Sequence, residues 1–455
     1  MLSFLTNCPI FKLISLTFFI YIFTFPTYAI EIKEVHSPSG IKAWLVQDKS
    51  VPVLSLNFAF RTGGTAYDPV GKEGLARMVS AMLDEGAGHL NSRKFQLGLK
   101  DIAARVQFVA SLDKFRGSLT TLKNNKEKAF RLLGLALNQP RFDLKPLERV
   151  RGQIISKIRR NAQDPEEIAS SVWYKTVFPN HPYGQKSDGT IGSVEKIVYQ
   201  DLQEFMRRHI VRESLMVAVA GDISPTELSN SLDLIFGNLP ITGKPQKMLE
   251  TKPRAKGKVI IIDHNIPQST VLFGHAGIKR EHPDWYIATV MNHILGGGGF
   301  SSRLMSEVRE KRGLAYSVYS FLNPFDHASL YMGKVATANQ RVKKSIKVIR
   351  EEWTKFAENG ATKREVSAAK TYLNGSFPLR LTSTRGISRL LLAIQVNNLG
   401  INYFYRRKRL INAVSVRDIK RVAKSLLRPK NLTIVIVGKP KGIDFVNQKK
   451  KESFE

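Results

Sequence analysis

The stretch Gly296-Gly297-Gly298-Gly299-Phe300-Ser301-Ser302-Arg303-Leu304-Met305-Ser306-Glu307-Val308-Arg309-Glu310-Lys311-Arg312-Gly313-Leu314-Ala315-Tyr316-Ser317-Val318-Tyr319-Ser320 governs the reading of this 455-residue chain. Four glycines in a row lack the Cβ that holds other residues to right-handed backbone, so the run reads as a flexible loop. A polar segment follows, and Gly313 is the residue type that stops a helix. From Tyr316 onward, β-branched and aromatic residues alternate with serine, as in a strand. Arg309 and Tyr316 thus flank a helix-to-strand corner, where a guanidinium and a phenol are able to converge on one oxygen. The plainer alternative is that Arg309 pairs with Glu307 or Glu310 on a solvated helix face.

Outward from this corner, the chain repeats one plan. Pro52 begins a strand-like run that reaches Phe60, and Pro267 begins another through Ser269–Phe273, 215 positions later. Asp201 opens a helix leading to the apolar run Leu215–Gly221, and Asp418 opens one leading to Leu432–Gly438, 217 positions later. Spacing that constant indicates a duplicated domain. Each copy reads as strand, strand, long helices, then helix and closing strand. That is an α+β plan with helices packed on a mainly antiparallel sheet. The expected boundaries are 30–240 and 258–440, with a basic tail at 441–455. The segment 241–257 contains Thr242-Gly243-Lys244-Pro245-Gln246-Lys247 and Lys252-Pro253-Arg254-Ala255-Lys256-Gly257. Polar, cationic and broken by proline, it has the composition of an exposed hinge.

Lys12, the uncharged run Leu13–Phe25 and Pro26-Thr27-Tyr28-Ala29 read as a secretory leader cut after Ala29, which makes residues 1–29 a signal peptide. The run is shorter than the roughly 20 apolar residues a membrane span needs. Cys8, the single cysteine, lies inside that leader, so the mature chain holds no thiol and no disulfide. Export without disulfides points to a periplasmic or secreted bacterial protein. The net charge of +32, or +31 without Lys12, favours anionic partners such as acidic peptides, an acidic subunit or an anionic membrane surface. The basic residues are spread along the chain and no nucleic-acid motif appears, so nucleic acid is not expected as a partner.

The Gly296–Ser320 segment closely resembles the C-terminal half of the M16 (pitrilysin, or insulinase-like) zinc peptidases. The resemblance extends over nearly the whole mature chain, including Tyr183-Gly184 and Ser376-Phe377-Pro378-Leu379-Arg380. It implies two homologous α+β halves arranged as a clamshell around substrate. It also implies that Arg309 and Tyr316 bind and polarise the scissile carbonyl, while Gly296, Gly297, Gly298 and Gly299 lie against the substrate backbone.

Active members of that family carry His-x-x-Glu-His on a helix after the second strand, a spacing that sets both histidines on one face beside a general base. The matching helix here is Glu73–Leu83, where Leu75, Met78, Val79, Met82 and Leu83 form an apolar stripe. Alignment sets Arg77 and Ala81 at the histidine positions, Ser80 at the glutamate and Lys157 at the third ligand. Val150, seven residues before Lys157, stands at a supporting glutamate. Arginine stays protonated, alanine has no donor atom and a serine hydroxyl is a poor base. No His-x-x-Glu-His or inverted form occurs anywhere in the sequence, and His264, His275, His282 and His293 lack ligand spacing. The degenerate helix is therefore expected to bind no metal, and the chain no cofactor of its own. Arg77 and Lys157 are expected either to share the vacated cavity with carboxylates such as Asp84 or Glu85, or to have simply drifted apart.

The resemblance implies a role in periplasmic proteolysis. In it, a zinc-free subunit joins a zinc-bearing sister in a heterodimer and supplies Arg309 and Tyr316 to bound peptide. Two other readings stand beside it: a stand-alone peptide-binding or chaperone-like envelope protein, and a structural assembly partner.

Overall fold

Both copies of the repeat fold around a sheet, and the two sheets share one strand order. The computed structural model describes residues 31–443, so the expected leader and most of the basic tail lie outside the described residues. In the first half, β1 (Lys33–His36), β2 (Lys42–Gln47) and β3 (Val53–Gly63) precede a short ladder of β4 (Gly86–Ala87) and β5 (Leu90–Asn91). Then come β6 (Arg105–Ala110), β7 (Lys114–Leu122) and β8 (Leu215–Gly221). The six-stranded sheet runs β1-β2-β8-β3-β7-β6, antiparallel at every step but β2 to β8. The second half supplies β9 (Val259–Asp263), β10 (Gln268–Ala276), β11 (Ala315–Pro324), β12 (Ser329–Ala338) and β13 (Thr433–Gly438). Its order β11-β12-β10-β13-β9, with only β13 to β9 parallel, reproduces β6-β7-β3-β8-β2 strand for strand. The duplication read from the spacing of Pro52 and Pro267 is thus a duplication of topology.

Each half builds a core of its own. Leu56 and Phe58 of β3 pack with Met78 and Val79 of the Leu75–Met82 helix, Leu202 of Tyr199–His209 and Leu232 of Pro225–Phe236. Phe273 of β10 packs with Met291 of Trp285–Asn292, Trp353 of Val342–Asn359 and Ile419 of Val416–Leu426. Asp201 and Asp418 sit at the third position of their helices, where each carboxylate accepts the backbone N–H of Val198 or Ser415. A carboxylate there also meets the positive end of the helix dipole, which is why both helices begin where the sequence indicates.

Strands β8 and β13 are apolar along nearly their whole length, and β3 and β10 are buried along most of theirs, because both faces of each sheet are covered. The second cover comes from the opposite half. The Pro165–Val177 helix leaves the first half to pack on β10 and β13, and the Thr384–Val396 helix leaves the second half to pack on β3 and β8. Trp173, fully buried, donates its indole N–H to the Thr433 carbonyl at 3.0 Å. In the reciprocal contact, Gln395 Nε2 donates to the Val217 carbonyl at 2.8 Å and Asn57 Nδ2 to Ser388 Oγ at 2.7 Å. An apolar layer including Trp173, Phe178, Tyr183, Leu272 and Val435 seals the junction. A polar knot lies within it: Tyr183 donates its hydroxyl to Asp113, whose other carboxylate oxygen accepts the Asp326 N–H at 3.2 Å. Lys114, itself buried, pairs with Asp326.

The segment 241–257, expected as an exposed hinge, also carries contacts to both halves. The segment is irregular and largely exposed, but the Thr251 N–H donates to the His327 carbonyl at 2.9 Å and the Arg254 N–H to the Val177 carbonyl at 2.8 Å. Ala255 is buried. Polar composition correctly marks the absence of regular structure, but backbone groups near a packed surface still take partners, and here they tie the segment down as a strap.

Candidate functional site: a corner without its metal

The helix-to-strand corner forms where the sequence indicates, with three differences. First, the glycine run is mostly not free. Residues His293–Gly297 form a π-helical turn, and a Cβ on Gly296 would stand 2.4 Å from Ser320 Oγ. A Cβ on Gly297 would meet the Asn292 amide at 2.4 Å, and one on Gly298 the His293 carbonyl at 2.6 Å. Gly296 is buried, so its place is in packing; Gly299, at φ +60° with nothing around it, is the open member. Second, the segment after the glycines, Met305–Glu310, is π-helical, a wide turn found often at functional sites. It buries Leu304, Met305 and Val308 and leaves Arg309 at the surface. Third, the strand begins at Ala315, and a bulge between Ala315 and Ser317 leaves Tyr316 out of the ladder with β12. An unpaired residue in a bulge is turned away from the regular alternation, which aims Tyr316 back at the helix.

Arg309 lies between two rings, its guanidinium carbon 4.8 Å from the Phe300 centroid and 4.9 Å from the Tyr316 centroid. A guanidinium stacked in this way gains cation–π energy of about 0.5–1 kcal/mol at an exposed site and keeps its in-plane N–H donors free. Among the described residues, no carboxylate pairs with it. Of the two partners in the plainer alternative, Glu307 is held by Lys311 and Arg312, which keep its carboxyl below the usual range, and Glu310 is exposed and forms no ion pair with Arg309. Phe300 and Tyr316 remain 65% and 79% exposed, a large apolar area to leave in water around an unpaired cation. Gly313, at φ +59°, makes the turn, and Arg341 fixes it by donating to the Gly313 carbonyl at 2.6 Å. Beside the corner the His293 ring stacks on Tyr372 at 4.8 Å, and burial pushes that imidazole toward its neutral form. Phe300 and Tyr372 carry no sequence signal of their own, since isolated aromatics suit a core equally well.

The degenerate helix occupies Leu75–Met82 and carries three altered positions, with the fourth, Lys157, on the Leu144–Asn161 helix; the residues at all four have structural partners. Arg77 and Lys157 do approach one another through a carboxylate, but it is Asp188, not Asp84 or Glu85. Arg77 Nε stands 3.2 Å from one Asp188 oxygen and Lys157 Nζ 2.9 Å from the carboxylate, with Asn161 Nδ2 at 3.3 Å. Glu85 instead pairs with Arg149 and accepts from Ser92, and Asp84 accepts from Gln96. Ser80 turns its hydroxyl back to the Arg77 carbonyl at 2.8 Å, Ala81 packs against the core, and Val150 is buried. These side chains do not fit a divalent ion: two of the ligand positions carry cations, and the one carboxylate between them is taken. Among the described residues, no three His, Cys, Asp or Glu gather closely enough to hold a metal. His275 accepts from Trp353 Nε1 at 3.0 Å inside the second core, where burial pushes it down to about 4, and His282 is exposed.

Asp188 escaped the sequence reading because a turn residue some thirty positions from Lys157 reaches it only once the chain is folded. Asp68 escaped it too. Buried ahead of the helix, it accepts the N–H groups of Gly74 at 2.8 Å and Ala76 at 2.9 Å, filling the anion position at a helix start. Burial nevertheless pushes its carboxyl up to about 7.

Comparison with known proteins agrees with this geometry. A family profile described as peptidase M16 inactive domain matches residues 196–373. A Helicobacter pylori protein named non-peptidase homolog YmxG is 30% identical over 403 residues, covering 86% of this chain and 90% of that one. A Bacillus subtilis relative, 23% identical over 78% of this chain and 85% of its own, is named as an uncharacterized zinc protease. A solved structure of a peptidase M16 inactive domain from Pseudomonas fluorescens superposes with a TM-score of 0.85 at 27% identity, covering 90% of this chain and 98% of that one. With a duplicated α+β topology, an Arg–Tyr corner and a relative 30% identical over most of its length, this chain belongs to the peptidase M16 family.

Proposed function

We propose that the protein serves periplasmic proteolysis as the metal-free subunit of a heterodimer, presenting Arg309 and Tyr316 to peptide held against a metal-bearing sister subunit. The observation that carries this reading is the Phe300–Arg309–Tyr316 stack, a half-buried guanidinium between two exposed rings, built on a bulge and a π-turn with no carboxylate neutralising it among the described residues. A structural subunit has no need of an unpaired guanidinium oriented between two exposed rings.

Within such a pair, the guanidinium forks its donors onto the peptide carbonyl and stays charged throughout, while the Tyr316 phenol adds a neutral hydrogen bond that shortens as the oxygen gains charge. Gly299, open and left-handed, lets the peptide backbone come close. The metal and the water it activates belong to the sister, because Arg77, Ser80, Ala81 and Lys157 supply neither ligand nor base.

A second reading, a stand-alone peptide-binding protein, draws support from β11. It is the free edge of its sheet, where an extended peptide is able to add as a further strand. Both readings are tested together by assaying fluorogenic peptides with this chain alone, with a zinc-bearing M16 sister, and with the mixture. The mixture is expected to cleave, with Arg309→Ala or Tyr316→Phe lowering turnover by about 10²–10³, the usual effect of removing one oxyanion donor. Co-elution of the pair on size exclusion should be unchanged. Chelator-sensitive cleavage by this chain alone overturns the proposal. Unaltered turnover in the variants moves the protein to pure assembly, and peptide binding without any sister effect supports the second reading.

A further inference from the structure

Between Glu365 and Asp418 the chain contains no acidic residue, while nine lysines and arginines fall in those 52 positions. The fold gathers part of this region on one face. The Phe377–Leu381 turn packs beside the Tyr403–Ala413 helix, with the Phe377 and Phe404 rings 5.9 Å apart and the Arg407 guanidinium 4.3 Å over Phe377. Arg380, Arg406, Lys408 and Arg409 are exposed around this contact, and among the described residues none has an ion-pair partner. Burial pushes the Arg407 guanidinium down, and the charge of nearby Arg380 adds to the effect. Two large apolar side chains stand out among these cations, Leu379 at 71% and Tyr405 at 67% exposure.

Clustered cations repel one another, and among the described residues no carboxylate compensates them, Arg406 donating only to the Leu399 carbonyl. Exposed leucine and tyrosine are equally unfavourable in water. One environment rewards both: an anionic bilayer, whose phosphates take cations without requiring fixed pairings and whose acyl boundary takes tyrosine and leucine. An acidic protein groove would use the charges but gives no reason for the two protruding apolar groups. Among the described residues, no helix is long and apolar enough to cross a membrane, so contact of this kind is peripheral. We propose that the face formed by Phe377–Leu381 and Tyr403–Ala413 docks the protein on an anionic phospholipid surface, with Leu379 and Tyr405 at the acyl boundary and Arg380, Arg406, Lys408 and Arg409 on the headgroup phosphates.

The test is co-sedimentation of the chain beginning at Ile30 with phosphatidylcholine vesicles, alone or with an equal part of phosphatidylglycerol. Binding is expected on the mixed vesicles only, weakening as salt rises. Each surface cation contributes a factor of about five, so Arg406→Gln/Lys408→Gln/Arg409→Gln should lower partitioning about a hundredfold. Leu379→Ser should also weaken binding, without altering its dependence on salt. If the triple variant melts early, the salt response of the wild type and the Leu379→Ser result carry the test. Equal binding to both vesicle types, or no loss in the variants, overturns the proposal. Preferential capture of soluble polyglutamate over mixed vesicles also overturns it and assigns the face to an acidic protein.

Discussion

Asp188 shows how a single residue redefines an inherited site. One carboxylate, mostly shielded from solvent, lies between Arg77 and Lys157, so the former ligand positions are bridged by an ion triad. Removing it leaves two cations facing each other. Asp188→Asn should therefore cost about 1–2 kcal/mol, between the values typical of exposed and buried pairs, in denaturant unfolding. The same change in an Arg77→Leu/Lys157→Leu background should cost much less; equal losses in both backgrounds would deny the triad. Asp68 gives a pH signature. Burial raises its folded carboxyl to about 7, well above the ordinary aspartate range, so over the interval between them the folded state holds a proton that the unfolded chain has released. Its contribution is thus fully present below about pH 4 and is lost as pH rises through about 7. Melting curves of the wild type should decline over that window relative to those of Asp68→Asn, and parallel curves would refute the assignment.

At the scale of elements, the most informative pair is the two exchanged helices. Pro165–Val177 is capped locally by Asp164, whose side chain accepts the Glu166 N–H at 2.8 Å. Nothing in it says that its apolar face belongs to the other half's sheet. The consequence is measurable at Trp173, which is fully buried against β10 and β13. Trp173→Ala should cost about 3–5 kcal/mol, the range for large buried aromatics. Because Trp173 bridges both halves, circular dichroism and the fluorescence of the remaining tryptophans, Trp44 in the first half and Trp285 and Trp353 in the second, should report the loss at the same denaturant concentration. Separate midpoints would mean that the halves unfold independently.

For the whole molecule, the exchange makes the strap dispensable as a covalent link. The halves are joined by the Pro165–Val177 and Thr384–Val396 helices, by the buried layer around Trp173 and Tyr183, and by the Asp113–Asp326 contact. Lys247, followed by Met248, lies in the irregular, largely exposed stretch ahead of the pinned Thr251. A limited tryptic cut there should leave two fragments that co-elute under native conditions and separate only in denaturant. Separation of the nicked halves without denaturant would show that the strap, not the exchange, holds them.

Much of this was legible in the residues. The period between Pro52 and Pro267 set the duplication, and the glycines and Tyr316 set the corner, because each rests on local chemistry or on spacing along the chain; the altered positions Arg77, Ser80, Ala81 and Lys157 came from the family resemblance. Tertiary structure alone decided that Asp188 neutralises the two cations, that Gly296 is a packing residue, that one helix from each half covers the other's sheet, and that a bulge turns Tyr316 onto Arg309. Those outcomes depend on which apolar faces meet and which buried charges find partners, and burial is a property of the folded whole that no window of sequence contains.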